Sequence, residues 1–341
     1  MNILIEGPRW SGMWTEIIAM SLRSLGHRVE YLYHNVRGPT DRLFLAGRTL
    51  LHGEDRGNAW ARRFRQRLLE HAGKTPWDVL LSIQGKVDAA TVQQLRRDSP
   101  GLRVIYWWGD ILSDAAPARI GEAAGFADRL LVSYAGSQAK LEKLHGDRVL
   151  YFPFGVAPAY HCIGTPNARE RSRYGAEVAF VGTCYPERCE LLRYLDRQLA
   201  SPVAVWGRGW RHCRGVRGRG ALTLHESQLV HACSHISLNL HHTGSDDGGN
   251  MRFWEIPAAG GFQICDRRPA LAAAAHGQST ITCASPAEFA DSINYYLAHA
   301  GVRRQLVHAA REAVLESAGY TPRLAALLQG LNPTGRPSRA S

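Results

Sequence analysis

The sequence predicts an α/β protein built from two doubly wound domains with parallel sheets. Three observations carry that prediction. Short apolar runs alternate with helical periodicities along the chain. The alternation stops in a stretch rich in Pro, Gly and Arg at 157–176 and then starts again. The length, 341 residues, suits two domains of about 150 residues each. The expected division is 1–156, then 157–317, then a C-terminal helix at 318–332 that packs back on the first domain, and a polar tail at 333–341.

Taken in order, residues 2–6 read as a strand, followed by Gly7 and a loop to Gly12. Met13, Trp14, Ile17, Ile18, Met20, Leu22 and Leu25 recur at helical spacing, and Gly26 suits a left-handed cap. Val29, Tyr31 and Tyr33 alternate as a strand. Strand, helix and strand in this order build a parallel sheet. Further strands are predicted at 78–83, 103–107, 129–133 and 148–152, with helices at 88–97 and 136–145. Residues 37–76 read as an arginine-rich insertion, and 157–176 as the interdomain connection. The second half predicts strands at 177–181, 203–206, 235–240, 261–265 and 279–283. Helices are expected at 186–199, 225–233, 251–259, 286–299, 301–317 and near 321–330. Ligands of open α/β sheets bind beyond the carboxyl ends of the strands, so two such domains facing each other place both sets of ends on one cleft.

Composition narrows the class. Hydrophobic residues at 45% and charged residues at 21% exclude a disordered or fibrous chain. No apolar run of 18 residues occurs, so no transmembrane helix is expected. The start, Met1 to Gly7, lacks the basic region and apolar core of a signal peptide, which points to the cytoplasm. The net charge of +11 is spread evenly over both halves. It suits phosphorylated or polyanionic partners: nucleotides, nucleic acid or a membrane surface. Few of the basic residues are lysine, as in the proteins of GC-rich bacterial genomes. The seven cysteines lie between Cys162 and Cys283 with no C-x-x-C spacing, and reduced thiols are expected. His231, Cys233 and His235 are too closely spaced for an ordinary zinc site and read as a helix end running into a strand.

Several phosphate motifs are absent. Ala72-Gly73-Lys74-Thr75 resembles the end of a P-loop, but the earlier glycine position is Leu68. Gly7 to Gly12 is GxxxxG, not the dinucleotide GxGxxG. No D-x-D triplet is present to hold a divalent cation, and no metal ligands are assigned. Residues 239–266, NLHHTGSDDGGNMRFWEIPAAGGFQICD, stand out. A strand runs into a loop with Gly244, Gly248 and Gly249, which also carries Asp246 and Asp247. A helix then starts near Asn250. A helix N-terminus attracts anions, Arg252 adds a guanidinium for phosphate, and Glu255 lies one turn on. The same pattern fits a capped helix with a surface Arg–Glu pair.

This segment resembles the donor region of GT-B glycosyltransferases, and specifically of the spore-protein CgeB-like family. That family reads N-x-H, a glycine loop, N-x-R-x-x-E, a helix, and a strand ending in Asp. Here the matching residues are Asn239-Leu240-His241, Asn250 to Glu255, Gly260-Gly261 and Asp266. Phe180-Val181-Gly182 with Tyr185 and Arg188 is similar to the family's FVG-x-x-Y-x-x-R. Trp206-Gly207-Arg208-Gly209-Trp210 resembles its YG-x-GW, Tyr151 to Val156 its hinge strand, and Leu25 to Val29 the LGHeV after the first helix.

The resemblance implies two Rossmann-like domains and a transferase that moves a sugar from a nucleotide diphosphate to an acceptor. Retention of configuration and independence of metal come with it. The co-substrate would be a UDP-, dTDP- or GDP-linked sugar, with no permanently bound cofactor. Glu255 would accept from the donor ribose. Asp247 stands eight residues earlier, where many retaining relatives have a glutamate, and either contacts sugar hydroxyls or is a solvated loop acid. Arg252 and the helix N-terminus would hold the diphosphate, with Asn250 at the helix start and Arg188 and Arg208 as further cations. Gly12 and Gly182 would let backbone approach the donor. His241 or His242, but not both, would face the sugar. Asp110, after Trp107 and Trp108, would serve as general base or acceptor-orienting group, or simply cap a helix. Trp60, Phe64 and Leu68 share one face of a basic helix at 59–69. That helix either docks on the core or forms a site for an anionic acceptor or a membrane surface. The acceptor class stays open: small molecule, glycan, protein or nucleic acid, with peripheral membrane contact allowed. Two rival functions remain, a nucleotide-sugar epimerase and a nucleic-acid-binding or base-modifying protein.

Overall fold

The computed structural model describes residues 1–10, 12–52, 55–110, 112, 116–242, 247–274 and 276–331. The tail at 333–341, and Gly244 and Asp246 of the glycine loop, lie outside the described residues. The chain divides into two compact units. The first takes in Met1–Ser133, Ser137–Phe152 and the chain from Thr321; the second takes in Tyr134–Gly136 and Pro153–Tyr320.

The first unit begins β1 (Asn2–Gly7), α1 (Trp14–Ser24), β2 (Arg28–Tyr33), α2 (Pro39–His52), α3 (Arg56–Ala72) and β3 (Val79–Ile83). It continues α4 (Ala89–Asp98), β4 (Arg103–Trp108), α5 (Ala116–Ala124), β5 (Arg129–Val132), α6 (Ala135–His145) and β6 (Val149–Tyr151). Among the described residues its strands form one parallel sheet in the order β2-β1-β3-β4-β5-β6. The strand interiors are apolar runs because helices cover both faces. Trp14 and Trp107 are both almost fully buried and meet edge to face, with centroids 4.7 Å apart. Asp88 caps α4 by accepting from the Thr91 N–H at 2.7 Å.

The arginine-rich insertion folds as α2 and α3. Trp60, Phe64 and Leu68 are buried along one face of α3, as the periodicity predicts. Helix α2 is not among the predicted elements, since its apolar residues alternate with polar ones too irregularly to signal a face.

The second unit runs α7 (Pro158–His161), α8 (Ala168–Tyr174), β7 (Val178–Val181), α9 (Pro186–Gln198), β8 (Ala204–Trp206), α10 (Leu224–Cys233), β9 (Ile236–Asn239) and α11 (Met251–Ala258). It ends β10 (Gln263–Asp266), α12 (Pro269–Ala272), β11 (Ile281–Cys283), α13 (Pro286–Ala298) and α14 (Ala300–Ser317), before the last helix α15 (Tyr320–Leu331). The described strands form a parallel sheet in the order β11-β10-β9-β7-β8. The connection expected at 157–176 holds two short helices. Asn167 and Glu170 form a capping box at the start of α8, a signal present in the sequence and overlooked there.

The cysteines differ from expectation. Cys189 on α9 is joined to Cys213 in a disulfide, with Cα atoms 5.9 Å apart. The pairing arises because α9 packs against the loop after β8, a neighbourhood that sequence spacing does not reveal.

The reversal of strand order between β7 and β9 opens the sheet beyond their carboxyl ends. Gly182 and Gly207 lie there back to back. Gly207 has φ +132°, and a side chain on it would collide with the Gly182 carbonyl. Gly26 also has positive φ, at +81°, but faces open space. Gly207→Ala is expected to cost about 3 kcal/mol or more, from strain plus collision. Gly26→Ala is expected to cost only about 1 kcal/mol. Urea denaturation of the two variants checks the difference, and equal losses would contradict it.

Candidate functional site

The residues singled out in the second half gather at the carboxyl ends of β7 and β9 and at the start of α11. Helix α11 is set by a polar network. Asn250 caps it, its Oδ1 accepting from the Phe253 N–H at 3.2 Å. Asn250 Nδ2 donates to Asn239 Oδ1 at 2.9 Å, Asn239 Nδ2 to Gln263 Oε1 at 3.1 Å, and Gln263 Nε2 to the Phe253 carbonyl. The buried amides of Asn239 and Gln263 and the half-buried one of Asn250 thus tie the helix start to β9 and β10, because buried polar groups must find partners away from water. The N–H groups of Met251 and Arg252 have no intrahelical acceptor and form the positive end of the helix.

Arg188 is buried, at 6% exposure. Its two terminal nitrogens donate to the Thr183 carbonyl at 2.9 Å and the Leu240 carbonyl at 2.6 Å. It therefore bridges the ends of β7 and β9. Its plane lies over the rings of Tyr185 and Phe180. Burial, and then the charge of Arg252, push its pKa down to about 10. Arg252 is half-buried and makes no ion pair among the described residues.

Glu255 faces this positive region from the next turn of α11. It is buried, with His161 Nε2 at 3.7 Å, and accepts no hydrogen bond among the described residues. Burial favours its neutral form, yet His161, Arg252 and His231 together hold its pKa below the usual value. His161 lies in α7 and was not singled out in the sequence; a buried histidine in a connecting segment leaves no periodic trace.

His241 is buried at the end of β9. Its backbone N–H donates to Asp266 Oδ1 at 2.7 Å, and its ring Nδ1 reaches the same oxygen at 2.8 Å. Its Nε2 is buried without a partner. Burial works against the Asp266 carboxylate, but the His241 contacts and then Arg268 hold its pKa down at about 2. His242 turns the other way, half-exposed, 3.9 Å from Glu187, in keeping with the alternation of a strand.

Other residues have different surroundings. Both Asp247 oxygens accept from the Ala270 N–H, at 3.0 and 3.1 Å, so this carboxylate caps α12. It is half-buried and hydrogen-bonded rather than a solvated loop acid. Gly182 donates to the Trp206 carbonyl and accepts from Trp210 Nε1. Arg208 is exposed on the loop after β8, its carbonyl accepting from the Cys184 N–H. Gly12 and Asp110 belong to the first unit. Gly12 lies in the loop between β1 and α1, and Asp110 is exposed just beyond β4. Cys184 lies with Cys189 and Cys213, their sulfurs within 4.8 Å of one another. His231 is a buried histidine bonded to Ser237 Oγ at 3.1 Å.

No curated protein sequence is significantly similar to the chain. Residues 188–329 match the glycosyl transferase-like family. Solved structures similar to the chain include sucrose-phosphate synthase from Thermosynechococcus elongatus, 13% identical with a TM-score of 0.68 over 97% of this chain and 99% of that one. Trehalose-6-phosphate synthase OtsA is 11% identical, with a TM-score of 0.68 over 98% and 100%. Anabaena HepE in complex with UDP-glucose is 12% identical, with a TM-score of 0.66 over 97% and 100%. These likenesses give the chain the GT-B fold.

Burial holds the pKa values of His231 and His276 at about 4 in the folded chain, against 6.5 when exposed. Between those values only the unfolded chain takes up the protons, so stability is full above pH 6.5 and falls as pH drops towards 4. The loss is on the order of 3 kcal/mol for each ring. Urea midpoints measured from pH 7 to pH 4 check it; a flat profile would contradict it.

Proposed function

We propose that the chain is a glycosyltransferase that binds a nucleotide-diphosphate sugar at the start of α11 and transfers the sugar to an acceptor. The observation that carries the reading is the pairing of Arg188 and Arg252 at the sheet's reversal point. Neither makes an ion pair among the described residues, and the charge of Arg252 raises the cost of charging Arg188. Such a pair is stabilised by a polyanion, and the helix N-terminus adds two N–H donors.

In this reading Arg252 and the α11 N-terminus hold the diphosphate. They stabilise the negative charge that grows on the leaving oxygen, which is the term that most favours transfer. Arg188 fixes the strand ends, and Arg208 adds charge from the rim. Glu255, which keeps open acceptor capacity, takes the ribose hydroxyls. His241 is held by Asp266 with its Nδ1 proton directed at the carboxylate, leaving Nε2 for a sugar hydroxyl. Gly182 gives close backbone approach. Asn250 sets the helix, and Asp247 orders the loop before it. The cations replace a divalent metal, so transfer proceeds without one. The resemblance to CgeB-like proteins carries retention of configuration, with Gly12 on the donor loop and Asp110 on the acceptor side. UDP is the first donor to test, because UDP and UDP-glucose are bound in the HepE structures.

A thermal-shift screen against UDP-, dTDP-, GDP- and CMP-sugars identifies the base. Arg252→Ala and Glu255→Ala are each expected to weaken binding of the selected nucleotide tenfold or more by calorimetry, about 1.4 kcal/mol. EDTA is expected to leave wild-type binding and transfer unchanged. Unaltered affinity in both variants would place the donor elsewhere.

A further inference from the structure

The first unit contains a cavity of about 1010 Å³ that the donor site does not use. Pro8 follows β1, His34 follows β2 and Lys86 comes just after β3, so the cavity lies beyond the carboxyl ends of three neighbouring strands. Helices α2 and α3 supply the rest of the wall. Strand order also reverses here, with β2 on one side of β1 and β3 on the other, and such reversals are where open sheets receive ligands.

The charged groups on this wall are of one sign. Arg37, Arg42, Arg56 and Lys86 line it, and among the described residues no carboxylate does. Asp41, on α2, is engaged by Arg63 and Arg67, each at 3.1 Å. Arg37 lies over the Trp60 ring at 5.1 Å. Burial and the charge of Arg119 push the Lys86 ammonium below its ordinary pKa. Trp10, 43% exposed, offers an aromatic face braced by Trp14 at 6.0 Å.

At the floor stands His34, 7% exposed. Its Nδ1 is 2.6 Å from Glu6 Oε1, which also accepts from the Lys86 N–H at 2.9 Å. Ser82 Oγ donates to the other Glu6 oxygen at 2.6 Å. Gly85 leaves room for this cluster, since a side chain there would collide with Ser82 and Glu6. Every contact to Glu6 is from a donor, so His34 carries a proton on Nδ1 and Nε2 is the ring's remaining hydrogen-bonding atom. Four cations, one aromatic face and one ring nitrogen are the complement of an anionic, hydroxyl-bearing ring compound, since a hydroxyl both donates and accepts. Guanidinium groups fit phosphate oxygens well.

Building on the transferase reading, we propose that this cavity is the acceptor site and that the acceptor is a phosphorylated sugar. Its phosphate sits among Arg37, Arg42, Arg56 and Lys86, its ring lies against Trp10, and a hydroxyl hydrogen-bonds to His34 Nε2. A bilayer or a nucleic-acid duplex would meet only the rim arginines and leave the His34–Glu6 floor without a role.

Tryptophan fluorescence of the full chain reads binding, since Trp10 and Trp60 are in the wall. The probes are glucose 6-phosphate, glucose, inorganic phosphate, phosphatidylglycerol vesicles and a DNA duplex, with UDP titrated in parallel. Saturable binding of glucose 6-phosphate, at least tenfold tighter than glucose or inorganic phosphate, is expected. Arg37→Glu with Arg42→Glu, and separately Lys86→Glu, are expected to weaken it at least tenfold while UDP affinity stays at the wild-type value; circular dichroism confirms folding. Equal binding of glucose or free phosphate, undiminished binding in the folded variants, or binding of vesicles or duplex in place of sugar phosphate overturns the proposal. Sugar-phosphate binding with no nucleotide binding at all supports the anion site and instead overturns the donor reading.

Discussion

A buried guanidinium organises the second unit. Arg188 reaches from α9 to carbonyls just beyond β7 and β9, where strand order reverses. A gap at such a reversal would leave carbonyl oxygens without donors, at a cost of about 1–3 kcal/mol each. Arg188 satisfies two of them and brings a positive charge with it. Among the described residues no carboxylate pairs with it directly; Glu187 and Asp266 favour the charge from a distance, while burial and then Arg252 oppose it. Strand spacing, the start of α11 and the local field thus share one cause. A chain that built this gap for stability alone would have closed it with an uncharged donor.

Much of this was visible in the residues themselves. Val178 to Val181 is an apolar run of the kind sheet burial requires, and Ile236 and Leu238 alternate with Ser237 and Asn239, so both strands follow directly. Asn250, Arg252 and Glu255 at a strand-loop-helix junction indicated an anion site, because capping and the helix dipole are local effects. The arginine-rich face of α3 is likewise a property of consecutive residues.

What was hidden depends on distant partners. Cys189 and Cys213 are 24 residues apart and meet only after α9 packs. His161 gains its meaning from Glu255, and Glu6 from His34, pairs separated by 94 and 28 residues. The partner of Asp247, the Ala270 amide, likewise lies beyond the next strand. Long-range hydrogen bonds of this kind leave no periodic signal.

The α2–α3 hairpin is the crossover that carries the chain from β2 past β1 to β3, and α3 buries Trp60, Phe64 and Leu68 in one core with Leu4 and Leu80. β1 pairs directly with both β2 and β3, and the ladder is continuous across the insertion. Its inner face is therefore fixed by packing, whereas the arginines on its outer face can be exchanged for another charge pattern with the sheet registers kept as they are. The exposed charge pattern of the first unit is thus free to diverge while the sheet beneath it is inherited intact.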